Sequence, residues 1–331
     1  MNVLITGAAG YIGNNLVAAL CRAQEKVNIY AVDNFFSTSR RSFEQPIGKQ
    51  GSGNSCVFFE FDFYDLENMV PLLEVMDVVV HLAEEKERKV YSERSTTTRP
   101  QVIRWQKNVE GYRRLLEASV ICGVKRVVLG SWSGVYVESP GSRLSENEPI
   151  VPINQYYHQK ISQEYYSKMF AYEYMLDTVT LRMSNVYGVG PASGRWKVDN
   201  EPGVISVMVE DALMKGSIEV HNKGEQKRNF VFVGDVVEAL RKAIFYTGKL
   251  SGNTFNICSD KTTRIIDVAE MIAGICDVQI QHRDVKWQKN IVQHSISNTR
   301  AKKVFGYRPT DDMPARLEDM VETVRSSKDM I

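Results

Sequence analysis

Through the first half of the chain, short apolar runs alternate with segments in which apolar residues recur every three or four positions. The runs NVLIT (2–6), VNIYAVD (27–33), CVFFEFD (56–62), DVVVHLA (77–83), RVVLGS (126–131) and TVTLRMS (178–184) are nearly continuous in β-branched and other apolar residues. Such runs suit strands covered on both faces, as in a parallel sheet, because a sheet with one wet face would alternate apolar with polar. YIGNNLVAALCRA, NVEGYRRLLEASVICG and YYHQKISQEYYSKMFAYEY carry the helical spacing and read as crossover helices. Strand–helix alternation with right-handed crossovers predicts a doubly wound α/β domain over residues 1–186.

Beyond residue 186 the rhythm loosens. GVGPASGRWKVDNEPG (188–203) reads as a long loop, followed by shorter αβ pieces that include FVFVGDVVEALRKAIF, TFNIC and a final helix near 311–325. We expect 187–331 to form mainly a smaller, partly interleaved cap, with segments near 228–260 returning to the first domain. The polar, charge-dense stretch 84–100 reads as a solvated loop, with a lid over a ligand as the sharper alternative.

Composition narrows the classes. With 331 residues, 43% hydrophobic and 24% charged, the chain can bury a full core. A net charge of +1 offers no electrostatic reason to expect nucleic acid or an anionic membrane as a partner. No apolar run approaches the ~20 residues of a membrane span, and the early first strand leaves no room for a signal peptide. Five scattered cysteines argue against a disulfide framework and a zinc site, and for a reducing, cytoplasmic setting.

The first chemical signal is MNVLITGAAGYIGNNL, with Gly7, Gly10 and Gly13 directly after a strand and opening a helix. Gly7 permits the turn, Gly10 lets the backbone approach a pyrophosphate, and Gly13 lets helix pack on strand. The N–H groups from Tyr11 and Ile12 to Gly13 then open a helix whose N-terminus suits phosphates. Asp33 closes the second strand, where its carboxylate would accept from adenosine ribose hydroxyls and repel a 2′-phosphate. NAD is therefore expected over NADP, although Arg40 and Arg41 in the following loop could soften that preference. Asp62 and Phe63, closing the third strand, could hold the adenine by a hydrogen bond and a flat apolar contact.

The second signal is QYYHQKISQE, in which Tyr156 and Lys160 stand four apart on one helix face. A tyrosine of ordinary acidity is a poor base at neutral pH, and an ammonium beside it favours the phenolate. Such a pair can take a proton from a sugar hydroxyl. Tyr157 has Ile161 at the same spacing, which cannot help it.

These stretches together resemble the extended short-chain dehydrogenase/reductases of the nucleotide-sugar epimerase/dehydratase group. The resemblance runs nearly end to end through TGAAGYIG, VDN, FDFYD, HLA, NVEG, YYHQK, LRMSNVYGVG, GEQKRNFVFVGDVVEA, FNICS and AKKVFGYRP. It implies a Rossmann-type sheet with a substrate-binding cap, bound NAD and a nucleotide-diphosphate sugar substrate. Tyr156 and Lys160 match the catalytic pair and also line the cofactor, as do the stretches that hold Asn34, Leu82 and Ala83. Asn185 and Arg228 match residues that contact the substrate diphosphate, Arg283 is a looser match, and His81 and Asn108 match structural positions lining the cofactor site. Family members commonly pair through helices matching 101–122 and 156–173, so a homodimer is expected, with Leu115, Leu116, Ile161 and Met169 as candidate surface.

One departure stands out. The family's catalytic serine or threonine precedes the valine of VY by three residues, and here that position is Trp132. Three readings stay open: a local shift brings in Ser133 or Ser131, Tyr156 works without the hydroxyl, or the protein binds a nucleotide sugar without turning it over. Related dehydratases and decarboxylases carry acids just after that position, where this chain has Ser133 and Gly134, so elimination is disfavoured. The expectation is oxidation at the sugar C4, as a 4-epimerase first and a C4 dehydrogenase or ketoreductase second.

Overall fold

The computed structural model describes residues 1–36, 38, 40, 43, 53–85, 104–136, 143–190, 203–285 and 295–328. Strands β1 (Asn2–Thr6), β2 (Asn28–Asp33), β3 (Ser55–Glu60), β4 (Val78–His81) and β5 (Arg126–Trp132) lie where the apolar runs place them. Helices α1 (Tyr11–Cys21), α2 (Leu66–Leu73) and α3 (Gly111–Ile121) connect them, with a π-helical turn at Gln106–Glu110 leading into α3. The short strand β6 (Arg143–Leu144) precedes α4 (Gln155–Glu173), β7 (Asp177–Met183) and β8 (Asn185–Tyr187). The second half holds α5 (Val204–Lys215), β9 (Ser217–His221), β10 (Lys227–Arg228), β11 (Phe230–Phe232) and α6 (Val233–Phe245). It continues through β12 (Asn253–Ile257), β13 (Thr263–Arg264), α7 (Ile265–Cys276), β14 (Gln279–Arg283), β15 (Ser295–Ile296), α8 (Thr299–Phe305) and α9 (Met313–Lys328).

Seven strands form one parallel sheet in the order β12-β7-β5-β4-β1-β2-β3. The apolar runs are continuous because successive residues serve opposite layers. On β5, Val128 joins the core under α1 and α6, whereas Val127 and Leu129 join the one under α2, α3 and α4. Leu16, Val17 and Leu20 of α1 and Val236 and Leu240 of α6 cover the first face; Met69, Leu73, Leu115, Leu116 and Phe170 cover the second.

A third apolar cluster joins Ile205, Met208 and Val209 of α5, Val268 and Ile272 of α7, and Leu317 and Val321 of α9. The parallel pairs β8–β11 and β9–β14 belong to the same half of the chain. Strand order reverses between β1 and β4, which opens a crevice at the carboxyl ends of the strands.

Two expectations change. Leu115 and Leu116 are fully buried in the subunit's own core, and Ile161 is buried as well, so they cannot supply a dimer surface. Arg41, most of the stretch 84–100 beyond Glu85, positions 191–202 of the long loop and the start of the 101–122 segment lie outside the described residues.

Candidate active site

The crevice is a cleft of about 890 Å³ lined by the ends of β1, β2, β4, β5 and β7, the first turn of α4, and Tyr187, Gly203 to Ser206 and Phe230 from the second half of the chain. At one end is the glycine-rich turn. Gly7 has φ 70°, and a Cβ there would lie 2.6 Å from the backbone nitrogen of Ala83. A Cβ on Gly13 would lie 2.1 Å from the carbonyl oxygen of Gly7, so the helix approaches the turn this closely only because Gly13 lacks a side chain.

Helix α1 starts with no side-chain cap at Gly10, and Gly10, Tyr11, Ile12 and Gly13 all line the cleft. The uncapped first turn thus offers its N–H groups to an anion. Asp33 accepts from the Ala9 N–H at 2.9 Å and the Phe35 N–H at 2.8 Å, which ties the end of β2 to the glycine turn. Asn34 donates to Asp62 at 3.2 Å. Lys107 bridges Asp62 and Glu85 at 3.0 Å each, and Phe63, Leu82 and Ala83 complete the wall. Turn, uncapped helix and carboxylate together fit a dinucleotide. Arg40 pairs at the surface with Glu60, 3.3 Å away.

At the other end, Asn154 caps α4 by accepting from the Tyr157 N–H at 2.9 Å, which turns Tyr156 and Lys160 into the cleft. The Lys160 ammonium lies 5.9 Å from the centroid of the Tyr156 ring and donates to the Gly130 carbonyl at 3.2 Å. It also pairs with Glu84 at 3.1 Å, and both side chains are only 7% exposed. Glu84 was not singled out from the sequence. Its signal was an acid directly after HLA, inside a stretch that read as solvated; the first two residues of that stretch are cleft wall instead.

His81 and Asn108 are buried and do not line the cleft as expected; they support its wall from behind. Asn108 holds the backbone of Glu85 in both directions, at 2.9 and 3.0 Å, and receives support from Gln159 and Gln163. His81 bonds Thr6 at 2.8 Å between the rings of Phe63 and Tyr112. Burial, aided by the Lys160 charge, pushes its pKa down to about 3, so it stays neutral in the folded protein. The unfolded chain takes up a proton near pH 6.5 that the folded chain refuses. Stability is therefore full above that pH and falls by about 1.4 kcal/mol per unit as pH drops toward 3. Urea denaturation at pH 6.5 and pH 5 should show this extra slope in the wild type and lose it in His81→Asn; equal slopes would refute it.

Trp132 lies in the cleft with ring centroids 5.5 Å from Tyr156 and 5.0 Å from Tyr157. Gly134 makes this possible, since a Cβ there would lie 2.6 Å from the indole. The expected shift of a serine into the reacting position is not seen. Strand β5 runs on through Trp132, and the turn Ser133–Val135 tucks Ser133 to 3% exposure, outside the residues that line the cleft. Ser131 reaches the wall, but its hydroxyl donates to the buried carboxylate of Glu164 at 2.6 Å.

Asn185 lines the cleft and donates to the Asn229 carbonyl at 2.9 Å. Arg228 is not part of the described wall, although its charge reaches Tyr157 and favours that phenolate against a larger opposing effect of burial. Arg283 is not brought to the cleft: it sits on β14, 67% exposed, with Glu219 3.4 Å away. Parallel pairing of β14 with β9 places it in a two-stranded sheet separate from the seven-stranded one.

The comparisons agree with this geometry. The UDP-glucose 4-epimerase of Mycolicibacterium smegmatis is 28% identical over 329 residues, covering 98% of this chain and 99% of that one. The crystal structure of UDP-glucose 4-epimerase from Thermotoga maritima with UDP-glucose matches with a TM-score of 0.82 at 28% identity, over 99% of this chain and 100% of that one. MoeE5 in complex with UDP-glucuronic acid and NAD matches with a TM-score of 0.79 at 26% identity, with 99% and 100% covered. The model of the NAD dependent epimerase/dehydratase family matches residues 3–258. With the dinucleotide cradle and the Tyr156–Lys160 pair opening into one cleft, the chain belongs to the NAD-dependent epimerase/dehydratase family of enzymes.

Proposed function

We propose that this enzyme is a 4-epimerase of a UDP-hexose. The observation that carries the reading is Tyr156 beside Lys160 in the cleft that holds the dinucleotide cradle, with Ser133 and Gly134 where eliminating relatives carry acids. Bound NAD would supply the acceptor and later the donor of the C4 hydrogen. Tyr156 takes the proton of the C4 hydroxyl as its phenolate and returns it when the ketone is reduced. Lys160 favours that phenolate by its charge. Trp132 offers no acceptor, only an N–H, so Tyr156 works without the family hydroxyl, and the indole walls the sugar site. Asn185 and Arg228 are the proposed diphosphate contacts, with Arg283 left out because it is exposed and does not line the cleft.

A UDP-sugar is supported by the two 4-epimerase relatives. Incubation with UDP-glucose, UDP-N-acetylglucosamine and UDP-glucuronic acid, followed by proton NMR, tests it: the expected product is the C4 epimer. A second reading, a C4 dehydrogenase or ketoreductase, is favoured by the same Trp132. Its ring, packed on two tyrosines, narrows the space in which a keto sugar must turn to present its other face. Release of a free keto sugar would establish that reading and end the first.

The proposal includes division into a cofactor domain over 1–186, rejoined near 228–260, and a substrate cap. It also includes a homodimer, supported by Ile121, Tyr165 and Tyr172, which are 84%, 60% and 87% exposed on α3 and α4. Light scattering at micromolar concentration should give twice the chain mass of 37.6 kDa; a monomer mass would contradict it. The absence of a disulfide among the five cysteines supports a cytoplasmic setting, and no helix among the described residues is long and apolar enough to cross a membrane.

A further inference from the structure

Glu84 is an unusual guest in this cleft. Its carboxylate follows the end of β4 by three residues, and one oxygen pairs with Lys160 at 3.1 Å. The other oxygen is buried and has no hydrogen-bond partner among the described residues. An acid with only one of its oxygens satisfied, at 7% exposure, is costly to keep. A lysine that only needed to reach Tyr156 would already be steered by the Gly130 carbonyl at 3.2 Å. The carboxylate therefore adds something beyond placement: a negative charge beside the ammonium that Tyr156 depends on.

We propose that Glu84 is a positioning residue for this reaction, which locks the Lys160 ammonium in place and offsets its field at Tyr156. The inference rests on the reading of Tyr156 as the base. The other charges around the pair are already engaged. From β4, His81 is neutral by burial. Beyond it, Glu85 is held by Lys107, which also holds Asp62. On α4, Glu164 is locked to Arg182 at 2.6 Å. Tyr157, also on α4, faces Trp132 and feels Arg228, and β5 contributes only the Gly130 carbonyl and Ser131. Among the described residues, Glu84 is thus the anion paired directly with Lys160.

The sign follows directly. Glu84→Gln keeps the shape and removes the negative charge, so Lys160 acts on Tyr156 undiminished and the phenolate forms at lower pH. For charges several ångströms apart at a protein-like dielectric, the expected shift is about one pH unit. Protein labelled with 13C at the tyrosine Cζ reads this without turnover: the resonance missing from Tyr156→Phe identifies Tyr156, and its titration midpoint is compared in wild type, Glu84→Gln and Glu84→Asp.

The expected result is a midpoint lowered by about one unit in Glu84→Gln and restored toward wild type in Glu84→Asp. The acidic limb of the kcat profile should move in parallel. An unmoved midpoint in folded, NAD-binding Glu84→Gln overturns the proposal. Retained turnover in Tyr156→Phe is a different failure, since it removes the base assignment whatever the titration shows.

Discussion

Tyr156→Phe is expected to lower turnover of the sugar nucleotide by at least ~10²-fold while leaving NAD binding nearly unchanged. The substitution removes one oxygen and keeps the ring that packs on Trp132 and Tyr157, whose centroids are 5.5 and 6.2 Å away. The glycine turn, the first turn of α1 and Asp33 are untouched, so calorimetry with NAD should give wild-type affinity within about twofold, a change below 0.5 kcal/mol. What disappears is the group that takes the C4 proton. Tyr157 cannot replace it, because burial pushes its pKa up and it has no lysine one turn along. Neither serine can, because Ser131 is held by Glu164 and Ser133 is tucked behind the wall. Turnover within threefold of wild type would remove Tyr156 from the mechanism and with it the proposed chemistry.

The residues that were legible from sequence are those whose role depends on spacing along one element. The glycine turn, Asp33 at a strand end and the one-turn separation of Tyr156 and Lys160 each follow from local geometry, and the structure brings all of them to one cleft. The parallel sheet was legible for the same reason, since two covered faces demand unbroken apolar runs. Residues whose role depends on contacts between distant segments were not. Glu84 meets Lys160 across 76 positions of sequence (160 less 84), and nothing in a charge-dense stretch separates a cleft acid from a solvated one. Leu115 and Leu116 misled in the opposite way: a helix in a doubly wound fold needs an apolar face for its own sheet before any partner, and that demand consumed them. Arg283 does not line the cleft, and the pairing of β14 with β9 that sets its place leaves no mark in sequence.

Trp132 falls between these cases. Its departure from the family pattern was visible, but the explanation required Gly134, which leaves room for the indole, and the two tyrosines that flank it. The missing hydroxyl and the glycine form one local solution: a bulky ring where relatives keep a small polar group, accommodated by the absence of a side chain two residues on.

The largest loss of stability is expected at the pair beneath this site. Arg182 on β7 and Glu164 on α4 are each 1% exposed and joined at 2.6 Å, with further bonds at 3.0 and 3.1 Å. Ser131 donates to the same carboxylate, and Arg182 donates on to the Tyr136 hydroxyl at 2.8 Å, itself pushed up to about 12 by burial. Burial works against the guanidinium charge, and Glu164 more than restores it, raising the pKa of Arg182. Glu164→Gln keeps the shape and an acceptor for Ser131 but leaves Arg182 charged in the interior without a counter-ion. Removing one partner of such a pair costs about 3–5 kcal/mol, a fall in Tm of roughly 4–7 °C for a chain of this size. The double variant Glu164→Gln, Arg182→Met removes both charges and should recover much of that loss, because the desolvation of the guanidinium goes with its charge. Thermal and urea denaturation of the two single variants and the double variant complete the cycle. Losses that simply add would mean that the two charges do not stabilise one another, and that α4 is held against β7 by its apolar contacts alone.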